Sequence, residues 1–324
     1  MLKEINLLKT NFDKEKLNNK LTCVINVKNC EDYIEQAIIS VLKQTVVVKV
    51  LIVDNYSTDS TPKILGKFPG IEVVQPPELC TLGAARNFSL LHVDSEFVAW
   101  LDADDIWEER FAELNLIAFS LSDNKISFIS SAAKVIHSNG DIKKECFSWE
   151  VDNKFEEGEL LEGINAQEIL LKNQFRGPLC SHIFNTKSVK RVGGFKDHFA
   201  FAEDADLLLK LLKTETSLHI NSALSRYRLH ENQNMQRLSP KVIYGEMIQL
   251  LNENYFNLMP KEEYLKQKEI LTLRMNFFHF KREKNLVNLL IFLKSILRKN
   301  SMRFVFNKFV SLVEKKNPSL HSAT

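Results

Sequence analysis

Short apolar runs alternate with helix-spaced ones along the first hundred residues of the chain. Residues 21–27, LTCVINV, make an unbroken, β-branched run of the kind a strand buried on both faces requires. Residues 32–43 place Ile34, Ala37, Ile38, Val41 and Leu42 on one helix face. VVVKVLIVD (46–54) predicts a second strand, and Ser60-Thr61-Pro62 opens a helix with proline in its first turn. IEVVQ (71–75), a helix over 83–92 and EFVAWLD (96–102) continue the alternation.

Alternation at this interval implies parallel strands joined by right-handed crossovers, hence an open α/β sheet with ligands at the carboxyl ends of its strands. Three of the four predicted strands end in polar residues: Lys28-Asn29, Asp54-Asn55 and Asp102-Ala103-Asp104. Further on, Asn139-Gly140 predicts a hairpin turn, 159–172 and 203–213 read as helices, and 216–229 reads as extended. Beyond about 240 the pattern is helical to the end. The expected division is an N-terminal segment 1–20, an α/β domain 21–235 and a helical extension 236–324.

Composition sharpens this picture in three places. At 44% hydrophobic and 26% charged residues, the chain is of globular type, and a net charge of +2 argues against a nucleic-acid binder. The charge is uneven: residues 281–316 carry ten Lys or Arg against Glu283 and Glu314, which leaves −6 on the first 280 residues. The five cysteines contain no C-x-x-C pair, the N-terminus lacks a secretory pattern, and no long uncharged apolar run occurs, so a reducing, cytoplasmic setting is expected.

Asp102-Ala103-Asp104 carries the sharpest chemistry. Two carboxylates two residues apart at a strand end repel, and a divalent cation such as Mg²⁺ or Mn²⁺ would remove that repulsion and bridge a diphosphate. The competing reading is an acidic loop in which Asp105 starts a helix at Trp107. Asp54 can accept from an imide N–H of a nucleobase, or simply shape an Asx turn, while Asp59 reads as a cap. Arg86 sits in the opening turns of a helix, where a guanidinium suits a diphosphate or stays solvated. Glu203, Asp204 and Asp206 open the helix at 203–213; such carboxylates favour the helix dipole, or one of them serves as a general base. Gly193-Gly194 before them allows a tight turn or close approach of a ligand. Alternation places Arg226, Arg228 and His230 on one face, a cationic edge for phosphates or, through His230, a metal ligand.

Taken together, these segments resemble family 2 of the glycosyltransferases, which share the GT-A fold: an open, mostly parallel sheet flanked by helices, here with a C-terminal helical extension. The resemblance runs through TCVINVKNCEDYIEQAIISVLKQT, VLIVDNYSTDST, LGAARNFSL, FVAWLDADDIW, VGGF, AEDADLLLKL and YRLH, in the family's order over about residues 21–232. It implies an inverting transfer of a sugar from a nucleotide-sugar, a UDP-sugar by preference, to a hydroxyl of a glycan or lipid-linked glycan in cell-surface polysaccharide or lipopolysaccharide assembly. It also implies roles. Asp54 contacts the base, and the backbone near Val27 and Asn29 lines the nucleoside pocket. Arg86 lies near the nucleotide, and Gly194 belongs to the acceptor-side turn. Asp102 touches ribose or metal, Asp104 ligates Mn²⁺ or Mg²⁺, and His230 helps hold the diphosphate or the metal. Asp204 is the base, with Glu203 beside it. Asn26 stands where the family commonly has Pro, Lys28 where it often has an aromatic residue, and Asn55-Tyr56 replaces an acidic-Gly pair; all three changes fall on the nucleoside side.

Three rival classes would carry different marks. A sugar nucleotidyltransferase would open with a Gly-rich basic loop where this chain has KNCEDYIE, and a processive synthase would show membrane spans and Q-x-x-R-W. A non-catalytic binding module would use the carboxylates only as caps. The tail repeats apolar residues from Leu286 to Leu297 and from Met302 to Val313 at helical spacing amid Lys and Arg. Such a stripe packs on the protein or a second subunit, or lies on an anionic membrane surface.

Overall fold

The computed structural model describes residues 7, 12–122, 126–147, 160–162, 178–233, 237–255 and 261–283. The chain separates into two compact units, Met1–Gln236 and Arg237–Thr324. In the first unit the described strands are β1 (Leu21–Val27), β2 (Lys49–Asp54), β3 (Glu72–Val74), β4 (Phe97–Asp102), β5 (Ile106–Trp107), β6 (Ile126–His137), β7 (Ile142–Phe147), β8 (Leu160–Glu162), β9 (His182–Asn185) and β10 (Thr216–Leu229). The helices are α1 (Ile34–Leu42), α2 (Thr61–Leu65), α3 (Leu82–Ser89), α4 (Phe111–Leu121), α5 (Thr186–Arg191) and α6 (Glu203–Leu212).

These strands form one sheet in the order β3-β2-β1-β4-β9-β6-β10-β5, with β7 added beside β6 and β8 beside β10. The first four are parallel, as their alternation with helices requires. β9 runs antiparallel between β4 and β6 and turns the sheet from its first half into its second. The fold is that of the GT-A class: a mixed open sheet with helices on its flanks.

Burial on both faces explains the unbroken apolar run of β1. Leu21, Cys23, Ile25 and Val27 pack on one face with Ile34 and Ile38 of α1 and with Phe111 and Leu114 of α4. Val24 points to the other face with Val53, Val98 and Trp100, under Ala85 of α3 and Leu207, Leu208 and Leu211 of α6. Apolar burial of this kind contributes roughly 25 cal/mol per Å² removed from water, so the two layers hold the strand ends in place. The site lies at those ends.

Two local expectations are corrected and a third is met. Residues 160–162 are strand rather than helix, because they pair antiparallel with Leu218–Ile220; the rest of 163–172 lies outside the described residues. The helix after Asp105 begins at Phe111, since Ile106 and Trp107 pair with Arg226 and Ser225 of β10. The hairpin at Asn139-Gly140 is present, with Ile142 opposite Ile136 and Gly140 at φ 93°, a left-handed value that glycine adopts without a Cβ clash.

The second unit contains α7 (Pro240–Tyr255) and α8 (Lys261–Glu283), which pack on each other through the stacked rings of Tyr244 and Phe278. The Tyr264 hydroxyl donates to Asn252 Oδ1 at 2.6 Å. The apolar stripe of 286–313 lies outside the described residues.

Candidate active site

β1 sits between β2 and β4, and its register fixes the geometry of the site. Val27 is paired with Asp54, and Asn26 is paired with Asp102. Two strand spacings therefore separate Asp54 from Asp102, roughly 10 Å, the span of a nucleoside and its first phosphate.

On the β2 side, loops rather than side-chain cavities do the shaping. Asn29 adopts φ 52°, its N–H donates to Ser57 Oγ at 2.9 Å, and its own Oδ1 accepts from the Thr58 N–H at 2.7 Å. The Asn55 N–H donates to the Val27 carbonyl at 2.8 Å, which ties the two strand ends together. Asp54 is buried; its Oδ1 accepts from the Ser57 N–H at 3.0 Å, the turn role anticipated for it, and its Oδ2 has only a long 3.4 Å contact from Gln75. Tyr56 holds φ 62° in the position where the family more usually carries glycine, and its hydroxyl donates to the Pro76 and Pro77 carbonyls, both at 3.0 Å. Asp59 is a structural residue: it accepts from the N–H groups of Thr61 and Glu31.

On the β4 side, a buried ion network links three distant segments. Arg86 of α3, only 3% exposed, donates to Glu203 Oε1 at 2.7 Å and to Asp102 Oδ1 at 2.9 Å. Arg86 is thus engaged by two carboxylates and acts on any ligand through them. Burial pushes the Asp102 carboxyl above its ordinary range; Arg86 opposes that and Asp104 reinforces it. Asp204, partly buried beside this network, is pushed up to about 7, first by burial and then by the neighbouring Glu203 charge, against the pull of Arg86. Asp206, the third carboxylate of the helix, is buried and ion-paired to Lys210 at 2.7 Å and Lys196 at 3.4 Å. Asp204 is the least buried of the three, and its raised carboxyl suits proton transfer at neutral pH.

Asp104 faces the opposite partner. Its Oδ2 lies 2.7 Å from His230 Nε2, the first residue past β10, and the His230 ring packs on Tyr33 with centroids 4.8 Å apart. His230 Nδ1 is buried and unpartnered. Among the described residues no three His, Cys, Asp or Glu side chains are gathered closely enough to cage a metal. The grouping expected of Asp102, Asp104 and His230 is therefore a pair, Asp104 with His230, because Asp102 is drawn to Arg86. One carboxylate and one imidazole still fit Mn²⁺ or Mg²⁺, which take a few protein ligands and complete their shells with diphosphate and water.

The cationic edge expected of Arg226 and Arg228 is not available, because both guanidinium groups are already engaged. Arg226 makes a fork to Glu108 at 2.8 and 3.0 Å. Arg228 is 1% exposed: it donates to the carbonyls of Asp104, His137 and Ser138 and to Gln36 Oε1, and stacks over Tyr33. Its role is to hold the Asp104 backbone, and its own N–H donates to Asp105, whose burial raises that carboxyl well above its ordinary range. Gly194 sits at φ 66° with the Asn87 side chain in the space a Cβ would occupy. Asn87 in turn bonds both the N–H and carbonyl of Phe195, so this glycine packs the α3 helix against the turn before α6.

Comparison with known proteins bears on the fold and the family it resembles. The family model described as glycosyl transferase family 2 matches residues 22–169. Hyaluronan synthase of Pasteurella multocida is 25% identical over 216 residues, 65% of this chain, and the chain spans only 20% of that protein's length. The UDP-Glc:alpha-D-GlcNAc-diphosphoundecaprenol beta-1,3-glucosyltransferase of Escherichia coli is 29% identical over 211 residues, covering 63% of this chain and 75% of that protein. The crystal structure of S. aureus TarS residues 1–349 in complex with UDP-GlcNAc superposes with a TM-score of 0.63 at 19% identity, over 86% of this chain and 79% of that one. Residues 22–169 thus resemble glycosyl transferase family 2, and the fold is that of the GT-A class.

Proposed function

We propose that the protein is an inverting glycosyltransferase that moves a sugar from a nucleotide-sugar, a UDP-sugar in the first instance, to a hydroxyl of a glycan or lipid-linked glycan in cell-surface polysaccharide or lipopolysaccharide assembly. The observation that carries the reading is the Arg86 bridge from Glu203 to Asp102, which brings the start of α6, and with it Asp204, beside the end of β4; the Asp204 carboxyl is pushed up to about 7. The relatives favour this donor and acceptor class, since one is named for a UDP-glucose donor and a diphosphoundecaprenol-linked acceptor.

Asp204 takes the proton from the acceptor hydroxyl, and the freed oxygen pair attacks the anomeric carbon from the face opposite the diphosphate. The bond to the diphosphate oxygen breaks as the new bond forms, and the configuration inverts. Arg86 offsets one of the two negative charges of Glu203 and Asp102, and the negative charge that remains helps to hold the Asp204 carboxyl up. Asp104 and His230, with Asp102 alongside, would hold Mn²⁺ or Mg²⁺, which supplies positive charge to the leaving diphosphate when bound. Asp54 and the backbone at Val27 and Asn29 line the nucleoside side. The catalytic domain is taken as 21–235, with 236–324 as a separate extension that packs, dimerises or meets the membrane surface.

Thermal stabilisation across a panel of nucleotide sugars with Mn²⁺ tests the donor class. One donor should raise Tm well above the rest. A flat response across the panel would remove the nucleotide-sugar reading.

A further inference from the structure

The carboxyl proposed as the base stands at the end of a stretch without regular structure. Neither helix nor strand covers residues 192–202, and Glu203 and Asp204 open α6 directly after them. An irregular segment of this kind keeps its shape only as well as its tethers do. Two of those tethers run to α6 itself: Lys210 donates to the Gly194 carbonyl at 3.2 Å, and Lys196 pairs with Asp206 at 3.4 Å. They move with the helix and do not fix it against the sheet.

The tethers to α3 are of another kind. Asn87 uses its carboxamide as a neighbouring strand uses its backbone: Nδ2 donates to the Phe195 carbonyl at 2.9 Å, and Oδ1 accepts from the Phe195 N–H at 2.8 Å. Nδ2 also donates to Asp197 Oδ1. Thr81 Oγ1 donates to the Asp197 carbonyl at 2.5 Å, and the bare Gly83 admits the Lys196 carbonyl, which a Cβ there would meet at 2.6 Å. Next to Asn87 on the same helix, Arg86 holds Glu203 and lies 5.4 Å from the centre of the Phe195 ring. Two consecutive residues of α3 thus grip both ends of the segment 195–203. The helix is itself fixed to β4, whose Trp100 Nε1 donates to Ser89 Oγ at 3.2 Å and which ends in Asp102.

We infer that Asn87 is a positioning residue for the reaction: by fixing the backbone of Phe195 it holds Asp204 at a set place relative to Asp102. The inference rests on the reading of Asp204 as the base and adds a residue that touches neither substrate nor reacting atoms. Arg86 alone leaves the segment free to pivot about Glu203, and a displacement of about 1 Å costs on the order of a hundredfold in rate.

Nucleoside diphosphate release by full-length protein, from the nucleotide-sugar that stabilises it best and with Mn²⁺ present, separates the outcomes. Asn87→Ala should lose about ten- to a hundredfold in kcat with donor KM within about threefold. Asn87→Asp sets a like charge against Asp197 and should lose at least as much. Asp197→Asn returns a hydrogen-bond donor to that pair, so the double variant should be about tenfold faster than Asn87→Asp, while Asp197→Asn alone stays within about threefold of wild type. An Asn87→Ala that melts lower yet turns over at the wild-type rate overturns the inference, because the clamp is then structural only. A higher donor KM with kcat intact overturns it too, as does a double variant no faster than Asn87→Asp, the comparison that decides if Asn87→Ala does not fold. A wild type that releases nothing from any donor, or an Asp204→Asn as fast as wild type, strikes the base reading itself, and the inference falls with it.

Discussion

Glu203 and Arg86 stand 117 positions apart in the sequence and 2.7 Å apart in the fold, both buried. This contact decides how the acidic start of α6 divides its work. Glu203 is neutralised by the guanidinium, Asp206 by Lys210, and Asp204 is left as the carboxyl that titrates near neutrality.

Removing the titrating carboxyl should abolish turnover while leaving donor binding. Asp204→Asn is expected to lower kcat by at least about a hundredfold, the scale of a lost general base, with donor KM changed by less than about threefold. Steady-state kinetics with a donor identified by the nucleotide-sugar panel checks it; a variant within tenfold of wild type would take the role from Asp204.

The pH profile should follow the same group. A base must be ionised, so kcat should rise through about pH 7, reaching roughly nine tenths of its plateau one unit higher. Glu203→Gln removes the second cause of the upward shift and leaves burial, so the acid limb should move part of the way to lower pH. The stability sign is opposite. A carboxyl held at about 7 when folded and near 3.8 when unfolded favours the folded state most below pH 4, and that advantage is lost as pH rises to 7. Asp204→Asn should therefore gain in Tm over wild type at pH 8 compared with pH 4.

Arg86→Met should be among the most damaging single changes. It removes the guanidinium that faces the buried Glu203 and the part-exposed Asp102, which costs about 3–5 kcal/mol. Chemical denaturation reads the loss. If stability holds, the network is ornamental and Asp204 needs another explanation.

Gly194→Ala should cost stability through both its left-handed backbone and the Asn87 side chain that occupies the space. About 1–3 kcal/mol is expected. Pairing it with Asn87→Ala should recover only the overlap and not the backbone part. An unchanged Tm but weakened nucleotide binding would instead make Gly194 a ligand-approach residue.

Much of this architecture is legible in the chain. The doubly buried β1 shows as six apolar or β-branched positions out of seven, and its helix partner shows at Ile34, Ile38 and Val41, because burial on both faces favours that composition. Pairing partners are less legible. Alternation correctly makes β10 extended but cannot tell that Glu108 lies across from Arg226, or that carbonyls from 104, 137 and 138 close around Arg228. The same limit applies to Arg86, whose two carboxylate partners come from other segments. Asn26 was visible as a polar residue inside an apolar strand; that its amide has no partner is a property of the fold alone.

The pair of Asp104 and His230 carries the claim that a cation-bound diphosphate leaves from this edge. Release of nucleoside diphosphate from the preferred nucleotide-sugar, followed with Mn²⁺ present, tests it most directly. Release should stop with chelator, return when Mn²⁺ is restored, and fall by at least about a hundredfold in Asp104→Ala. Release by Asp104→Ala at the wild-type rate, or none from any donor by wild type, would contradict the assignment.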